Sequence, residues 1–243
     1  MQLFANRTAI LCWCTVFFTS FQSISLSVIM PLRYQSITGE GSDSAALHLL
    51  PLAMGLPIGA YFAGRLTSLT GRFRPQILTG AVCMPLFILG MALTEPQSTL
   101  LSGVFMLLTG MASGALFPTS LVGTQNAVAP ADIGVATSTT NLFRSLGGAM
   151  GVACMSALLL ALLQHSSLAH LGAASLGGEG ASGNALLQGI DAAKGEVQLA
   201  LRGELTSTFR HLLLASAAIS LLGLAAALAL PDKILRGRED KAD

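Results

Sequence analysis

Residues 125–163 read QNAVAPADIGVATSTTNLFRSLGGAMGVACMSALLLALL. A polar turn carrying Pro130 and Asp132 comes first, then hydroxyls at 137–140, then Arg144, then an uncharged, chiefly apolar run over 146–163. Crossing a bilayer core of about 30 Å takes about 20 predominantly apolar helical residues. The run over 146–163 comes close to that length without a charge. Thr137, Ser138, Thr139 and Thr140 suit a helical extension outside the apolar layer, where a hydroxyl bonds back to its own helix or lines a wet cavity. Arg144 has two readings. It anchors the helix at the aqueous boundary, or it lines a solute cavity or gate, since a charge deeper in lipid needs a partner or water.

The same pattern extends over the rest of the chain. Charged residues make up 10% and apolar residues 52% of 243 residues, against about 25% charged in ordinary soluble chains. Mean hydropathy is +0.68. We read an all-α polytopic membrane protein with six transmembrane helices in one bundle. The spans fall at about 8–32, 47–63, 77–93, 100–122, 146–163 and 212–230. Helices satisfy every backbone group within lipid, and no short alternating strands of the barrel kind occur. With the N-terminus inside, the inner connections hold Arg7, Arg65, Arg72, Arg74, Arg144, Lys233, Arg236, Arg238 and Lys241. The outer ones hold only Arg33, Lys194, Arg202 and Arg210. The excess of Lys and Arg puts both termini in the cytoplasm, and the chain in the inner (plasma) membrane. Residues 1–243 form a single unit with a long extracytoplasmic loop at 164–210. The GAASLGGEGASGN run (172–184) of that loop is small and flexible. Residues 184–205 are patterned as an amphipathic surface helix leading into the last span.

Several function classes drop out. No groove-reading motif or strong basic run points to nucleic acid. No zinc-spaced Cys or His set, nucleophile elbow or phosphate loop occurs, so no metal, no cofactor and no enzymatic activity are expected. Cys12, Cys14, Cys83 and Cys154 all lie in apolar runs and read as packing residues. His48, His165, His170 and His211 read as interfacial polar residues. The first span lacks the pattern of a cleavable signal. No carboxylate takes a clear mid-span position.

GRLTSLTGRFRP (64–75) joins two antiparallel spans. Its arginines suit the cytoplasmic face near anionic lipid, and Gly64 and Gly71 permit a tight reversal. Gly64, Leu66, Gly71, Arg72 and Arg74 match the loop signature of the major facilitator superfamily, which this segment resembles. The resemblance implies a conformational-switch loop of Gly64, Arg65, Gly71, Arg72 and Arg74. The signature's usual Asp falls at Ser68 and its following Arg at Leu69, so the loop lacks the carboxylate.

MPLRYQSITG (30–39) and HLLPLAMGLPIGAYFAG (48–64) are similar to segments of the EmrB/QacA-type, fourteen-helix drug:proton antiporters of that superfamily, with Arg33 where an aromatic is usual. The opening stretch resembles the same branch. Gln125, Asn126, Pro130, Asp132, Gly134, Ala136, Thr137, Phe143, Arg144, Gly147, Gly148 and Gly151 fall in register. The likeness covers essentially the whole chain, but only the C-terminal half of such a transporter. Gln125, Asn126, Thr137 and Arg144 are then candidates for a cavity or gate. Gly147, Gly148 and Gly151 are candidates for helix packing, since Gly pairs four apart let helices approach closely. Gly55/Gly59 and Gly110/Gly114 repeat that spacing.

The resemblance implies one six-helix bundle built from two inverted three-helix repeats. Its function is that of the C-terminal half of a proton-coupled multidrug or small-molecule efflux transporter. The partners are the lipid bilayer, a small-molecule substrate and, if the transporter is split, a complementary N-terminal half. The alternative is a non-transporting six-span scaffold or regulatory subunit.

Overall fold

A computed structural model describes residues 6–38, 41–95, 98–164 and 196–232, without the side chains of 38, 42, 164 and 196–202. Helices α1 (Arg7–Thr38), α2 (Ser42–Leu47), α3 (Leu50–Thr70), α4 (Arg74–Leu93) and α5 (Thr99–Ala127) are followed by a 3₁₀ turn, Pro130–Asp132. Helices α6 (Ile133–Gln164) and α7 (Glu196–Leu228) complete the order. Among the described residues, six helices are long and apolar enough to cross a membrane and no strand occurs.

Most helices outrun the apolar spans read from sequence. Hydropathy marks only the part that suits lipid, whereas backbone hydrogen bonding continues into water until a cap stops it. Helix α1 continues past Pro31 to Thr38, because proline breaks bonds to its N-terminal side only. That extension carries Tyr34 and Ile37 into the core. It also makes Arg33, assigned from sequence to an outer connection, a helical residue only 5% exposed. Residues 196–210, placed at the end of the long loop and read up to 205 as a surface helix leading into the last span, are the first part of α7, which holds Glu204. The remainder of that loop, 165–195, lies outside the described residues. Helix α3 stops at Gly71, whose left-handed φ of 69° closes the last turn as its N–H donates to the Thr67 carbonyl at 2.9 Å. Pro75 then opens α4 within its first turn.

Packing follows a simple scheme. Helix α3 packs chiefly on α5, and α1 chiefly on α6; α4 packs on α5, and α7 on α1. The pairs α1/α5 and α4/α7 also touch. These contacts map onto themselves when α1, α3 and α4 are exchanged with α5, α6 and α7, as two three-helix repeats require.

Glycines set the closest approaches. A methyl built on Gly59 would stand 2.7 Å from the Met111 Cα, and one on Gly55 2.9 Å from the Gly110 Cα. At the equivalent α1–α6 contact, a methyl on Gly147 or Gly151 would stand 3.0 Å from the Phe17 Cα or 2.8 Å from the Phe21 Cα. Gly148 faces the Ile24 side chain. At Gly147, Gly148 and Gly151, read from sequence as packing residues, backbone or side-chain atoms of α1 occupy the space a side chain would need.

Polar bonds fix the register between helices. Gln22 is fully buried on α1; its Nε2 donates to the Ser216 carbonyl of α7 at 2.6 Å, and Ser216 Oγ donates back to Gln22 Oε1. Ser23 Oγ donates to Ser113 Oγ at 2.8 Å, tying α1 to α5. Trp13 Nε1 donates to Thr140 Oγ1 at 3.1 Å, tying α1 to α6. Interhelical bonds in bilayers are worth about 0.6–2 kcal/mol. Gln22→Leu is therefore expected to cost about 1–2 kcal/mol, because it breaks both bonds to Ser216. Reversible detergent unfolding in bicelles would measure this, and an unchanged midpoint would show that the pair contributes nothing.

One end of the bundle gathers the start of α1, the α3–α4 turn, the α5–α6 turn and the end of α7. Asn6 Nδ2 donates to the Ala127 carbonyl there, and Arg72 Nη1 lies 3.6 Å from Asp232 Oδ2. Both limits of the described chain, 6 and 232, thus lie at the end that carries Arg7, Arg65, Arg72 and Arg74.

Candidate functional site on the open face

Helices α1, α4, α5 and α7 form a four-cornered core, in which each packs on the next. Helices α3 and α6 join it at α5 and α1 and do not pack on each other. Over their apolar windows, α3 and α6 are only 22% and 28% buried, against 61% for α1. They flank a face floored by α1 and α5. Tyr61, Phe62 and Met54 of α3, Leu142 and Met150 of α6, and Ile24 and Val28 of α1 are exposed.

Polar chemistry enters this apolar setting along one seam, between α5 and α6. Gln125 Nε2 donates to Thr137 Oγ1 at 3.1 Å, and Thr137 Oγ1 donates to the Ile133 carbonyl at 2.8 Å. Thr137, Asn141 and Arg144 follow at i, i+4 and i+7 and so share one side of α6. Arg144 is exposed, and its guanidinium carbon lies 4.5 Å from the centroid of the Phe117 ring of α5. Such a cation over a ring face contributes about 0.5–2 kcal/mol, depending on desolvation. Arg144 makes no ion pair among the described residues. From Arg144 to Gln164, α6 runs about 30 Å at 1.5 Å per residue, which matches a hydrocarbon core. By length, Arg144 falls at the boundary of that core; by direction, it faces α5 on the open side. The two sequence readings, boundary anchor and cavity residue, are compatible in this geometry. Neighbouring Phe143 turns the other way and stacks on Trp13 of α1, with ring centroids 5.8 Å apart.

The α3–α4 turn is less concentrated than its motif implies. Gly71 caps α3, and Arg72 pairs with Asp232, both half-exposed. Arg65 Nη1 approaches Tyr61 Oη at 3.4 Å on the surface, and nothing lies within 4 Å of a methyl placed on Gly64. Arg74 opens α4, with a buried Nε that meets no acceptor among the described residues. Ser68, at the position of the missing carboxylate, donates to the Arg65 carbonyl at 2.8 Å. Gly64 and Arg65 thus lie within α3, which reverses at Gly71 and not at Gly64, and the motif residues do not converge on a single group. Asn126 lies in the last turn of α5, next to the turn that joins α5 to α6.

Sequence reasoning passed over several residues here. Phe117 is the partner of Arg144, Asn141 completes the polar row, and Phe73 sits fully buried under the α3–α4 turn. Phe73 carried a signal as the large apolar residue between the two arginines of GRFR (71–74). At the opposite end, Arg33 Nη2 donates to the Thr94 carbonyl at 3.1 Å, and Tyr34 stacks on His48 at 4.2 Å beside a cleft of about 330 Å³. Among the described residues, no group of His, Cys, Asp or Glu has the arrangement of a metal site.

Comparison with known proteins places this geometry. The family described as Major Facilitator Superfamily matches residues 1–152. The multidrug transporter protein MdtP of Bacillus subtilis (strain 168) is 29% identical over 160 residues, covering 65% of this chain and 29% of that protein. The MFS-type efflux transporter ffsH of Aspergillus flavipes is 28% identical over 156 residues, covering 64% of this chain and 28% of that protein. Among solved structures, a bacterial homolog of the human lysosomal transporter Spinster, inward-facing and unoccupied, superimposes with a TM-score of 0.72 at 18% identity. That match covers 93% of this chain and 48% of the other. The chain thus spans under a third of the length of those two relatives and about half of the solved structure.

Proposed function

The chain belongs to the major facilitator superfamily, and from that membership we propose that it is the C-terminal six-helix half of a proton-coupled multidrug or small-molecule efflux transporter of the EmrB/QacA type. Membrane transport is the activity of the relatives it matches, two of which are named as a multidrug and an efflux transporter. The observation that carries the reading is the open face. Helices α3 and α6 leave most of their apolar surface uncovered, and the solved transporter that shares this fold is about twice as long. A second bundle set against that face would enclose a central path and supply the body against which this one rocks. The proton-carrying carboxylates would come from that other half. The described acidic side chains here, Asp43, Glu95, Asp132, Glu204 and Asp232, lie at helix ends, in turns or in the outer part of α7.

In this reading the chain resides in the inner (plasma) membrane with both termini in the cytoplasm, and the arginine-bearing α3–α4 turn is the conformational-switch loop at that face. Gln125, Asn126, Thr137 and Arg144 line the cytoplasmic mouth of the path. The test is co-expression with a complementary N-terminal half. Efflux of a fluorescent small molecule, tried with cationic and anionic probes alike, should appear with the pair, vanish with a protonophore and be absent with either half alone. Two halves that insert and co-purify without proton-dependent efflux would overturn the transporter reading and leave the scaffold.

A further inference from the structure

The seam between α5 and α6 carries a charge with no counter-charge. The Arg144 guanidinium rests on the Phe117 ring at 4.5 Å, and the ring offers it no hydrogen-bond acceptor. No described acidic side chain shares that part of the face. Asp43 and Glu95 lie at the other end of the bundle, and Glu204 and Asp232 belong to α7 and its end. Asp132 precedes Arg144 by twelve residues, about 18 Å along a helix. The polar row leading towards Arg144 is neutral: Gln125 bonded to Thr137, then Asn141. The exposed residues of α6 nearest the row, Ser138 and Ser145, are neutral as well, whereas Leu142, Leu146 and Met150 lie on the opposite side of the helix.

An arginine held flat on an aromatic ring is preorganised. Its planar fork keeps its edge donors available and suits a carboxylate or similar anion with two parallel bonds. The Phe117 ring below suits a flat, aromatic body. A lipophilic cation would meet like charge and find no described carboxylate.

We infer that the Arg144–Phe117 pair is a recognition site for amphipathic organic anions, a carboxylate or sulfonate on an aromatic body, with Asn141 and Thr137 as the polar approach. The inference rests on reading the open face as the solute-facing side. It narrows the substrate class that this half selects: weak organic acids rather than organic cations. Its chemistry is shared with an anionic lipid headgroup, and the site is assigned to the free solute.

The test uses the 243-residue chain in nanodiscs of zwitterionic lipid, with 1-naphthoate and 1-naphthylmethylammonium as matched probes of opposite charge. Naphthoate should bind, with the cation at least about tenfold weaker, the scale set by one charge-assisted bond pair. Arg144→Gln should lower naphthoate affinity about tenfold or more, Arg144→Lys should retain part of it, and Phe117→Leu should weaken it severalfold. Melting curves and helix content identify any variant that has merely lost its fold, in which case Arg144→Lys and Phe117→Leu carry the comparison. Equal affinity for the two probes, no naphthoate binding by the folded chain, or full binding by folded Arg144→Gln would overturn the site. Arg144-dependent binding of phosphatidylglycerol without naphthoate binding would also overturn it, in favour of a lipid contact. Binding needs no transport. Efflux by the paired halves without naphthoate binding would sink this inference alone, and binding without efflux would sink the transport reading alone.

Discussion

Gly59→Val is expected to prevent the bundle from assembling, with loss of a monodisperse helical species on extraction. The reason is local and steric. At Gly59 even a methyl would stand 2.7 Å from the Met111 Cα and closer still to the Met111 carbonyl. These are backbone atoms, which cannot rotate away as the end of a flexible side chain would. Gly114 meets the Leu56 carbonyl in the same way across the interface, so relaxation at one glycine is blocked by the other. Overpacking against movable side chains costs about 1–3 kcal/mol, and here the helices themselves must separate. In lipid no hydrophobic force draws helices together, and close backbone packing carries much of the association. The expected cost is therefore above about 3 kcal/mol. Gly64→Val on the same helix is the control. Gly64 has nothing within 4 Å of an added methyl, so that variant should change stability only by the small helix-propensity difference, which favours valine. If Gly59→Val unfolds at the wild-type detergent midpoint, the α3–α5 contact is not close.

Phe73→Ala should lower stability by about 3 kcal/mol or more, the usual cost of removing a buried aromatic ring. Phe73 is fully buried although it lies in a turn between two arginines. Its ring closes over Gly123 of α5, with Cδ2 3.0 Å from a methyl built there, and it belongs to the cluster that holds Cys12 and Ile77. The turn is thereby keyed to α1, α4 and α5 at one point. Truncation leaves a cavity beside a polypeptide end that water can reach. Arg72→Ala is the matched comparison. Its pair with Asp232 is 3.6 Å long and half-exposed, and exposed pairs are worth about 0–1 kcal/mol. Reversible unfolding of both variants should therefore rank Phe73 well above Arg72. The reverse order would mean that the charges of the turn, rather than its buried ring, hold the turn in place.

The comparison of these two residues shows how far the motif could be read. GRLTSLTGRFRP announced a basic turn and the need for glycine at position 71, and Gly71 takes the left-handed conformation that ends α3. It did not announce that Phe73 would be the best-packed residue of the turn, or that Gly64 would face open space. Arg144 was legible as a charge just before an apolar run, open to a boundary or a cavity role, because charge and run length are properties of the chain. Its partner was not legible, because Phe117 lies on another helix and the pairing depends on how α5 and α6 are rotated. Arg33 was misplaced for a related reason. A cation after an apolar run reads as the start of a loop, yet the helix continues and buries it against the Thr94 carbonyl at the end of α4.

The sequence by itself determined six helices long and apolar enough to cross a membrane, the gathering of Arg7, Arg65, Arg72 and Arg74 at one end of the bundle and the small-residue spacing at which helices meet. Each of these is a sum over neighbours along the chain, and the bilayer selects on such sums directly. Only the tertiary structure decided which face of each helix is inside: that Gly59 meets Met111, that Gln22 locks onto Ser216, that α3 and α6 stand open and that Arg144 rests on Phe117. Lipid is as apolar as a protein core, so hydropathy cannot distinguish a leucine facing lipid from one facing another helix. In this protein, rotation about each helix axis is set by glycine contacts and a few hydrogen bonds between residues far apart in sequence.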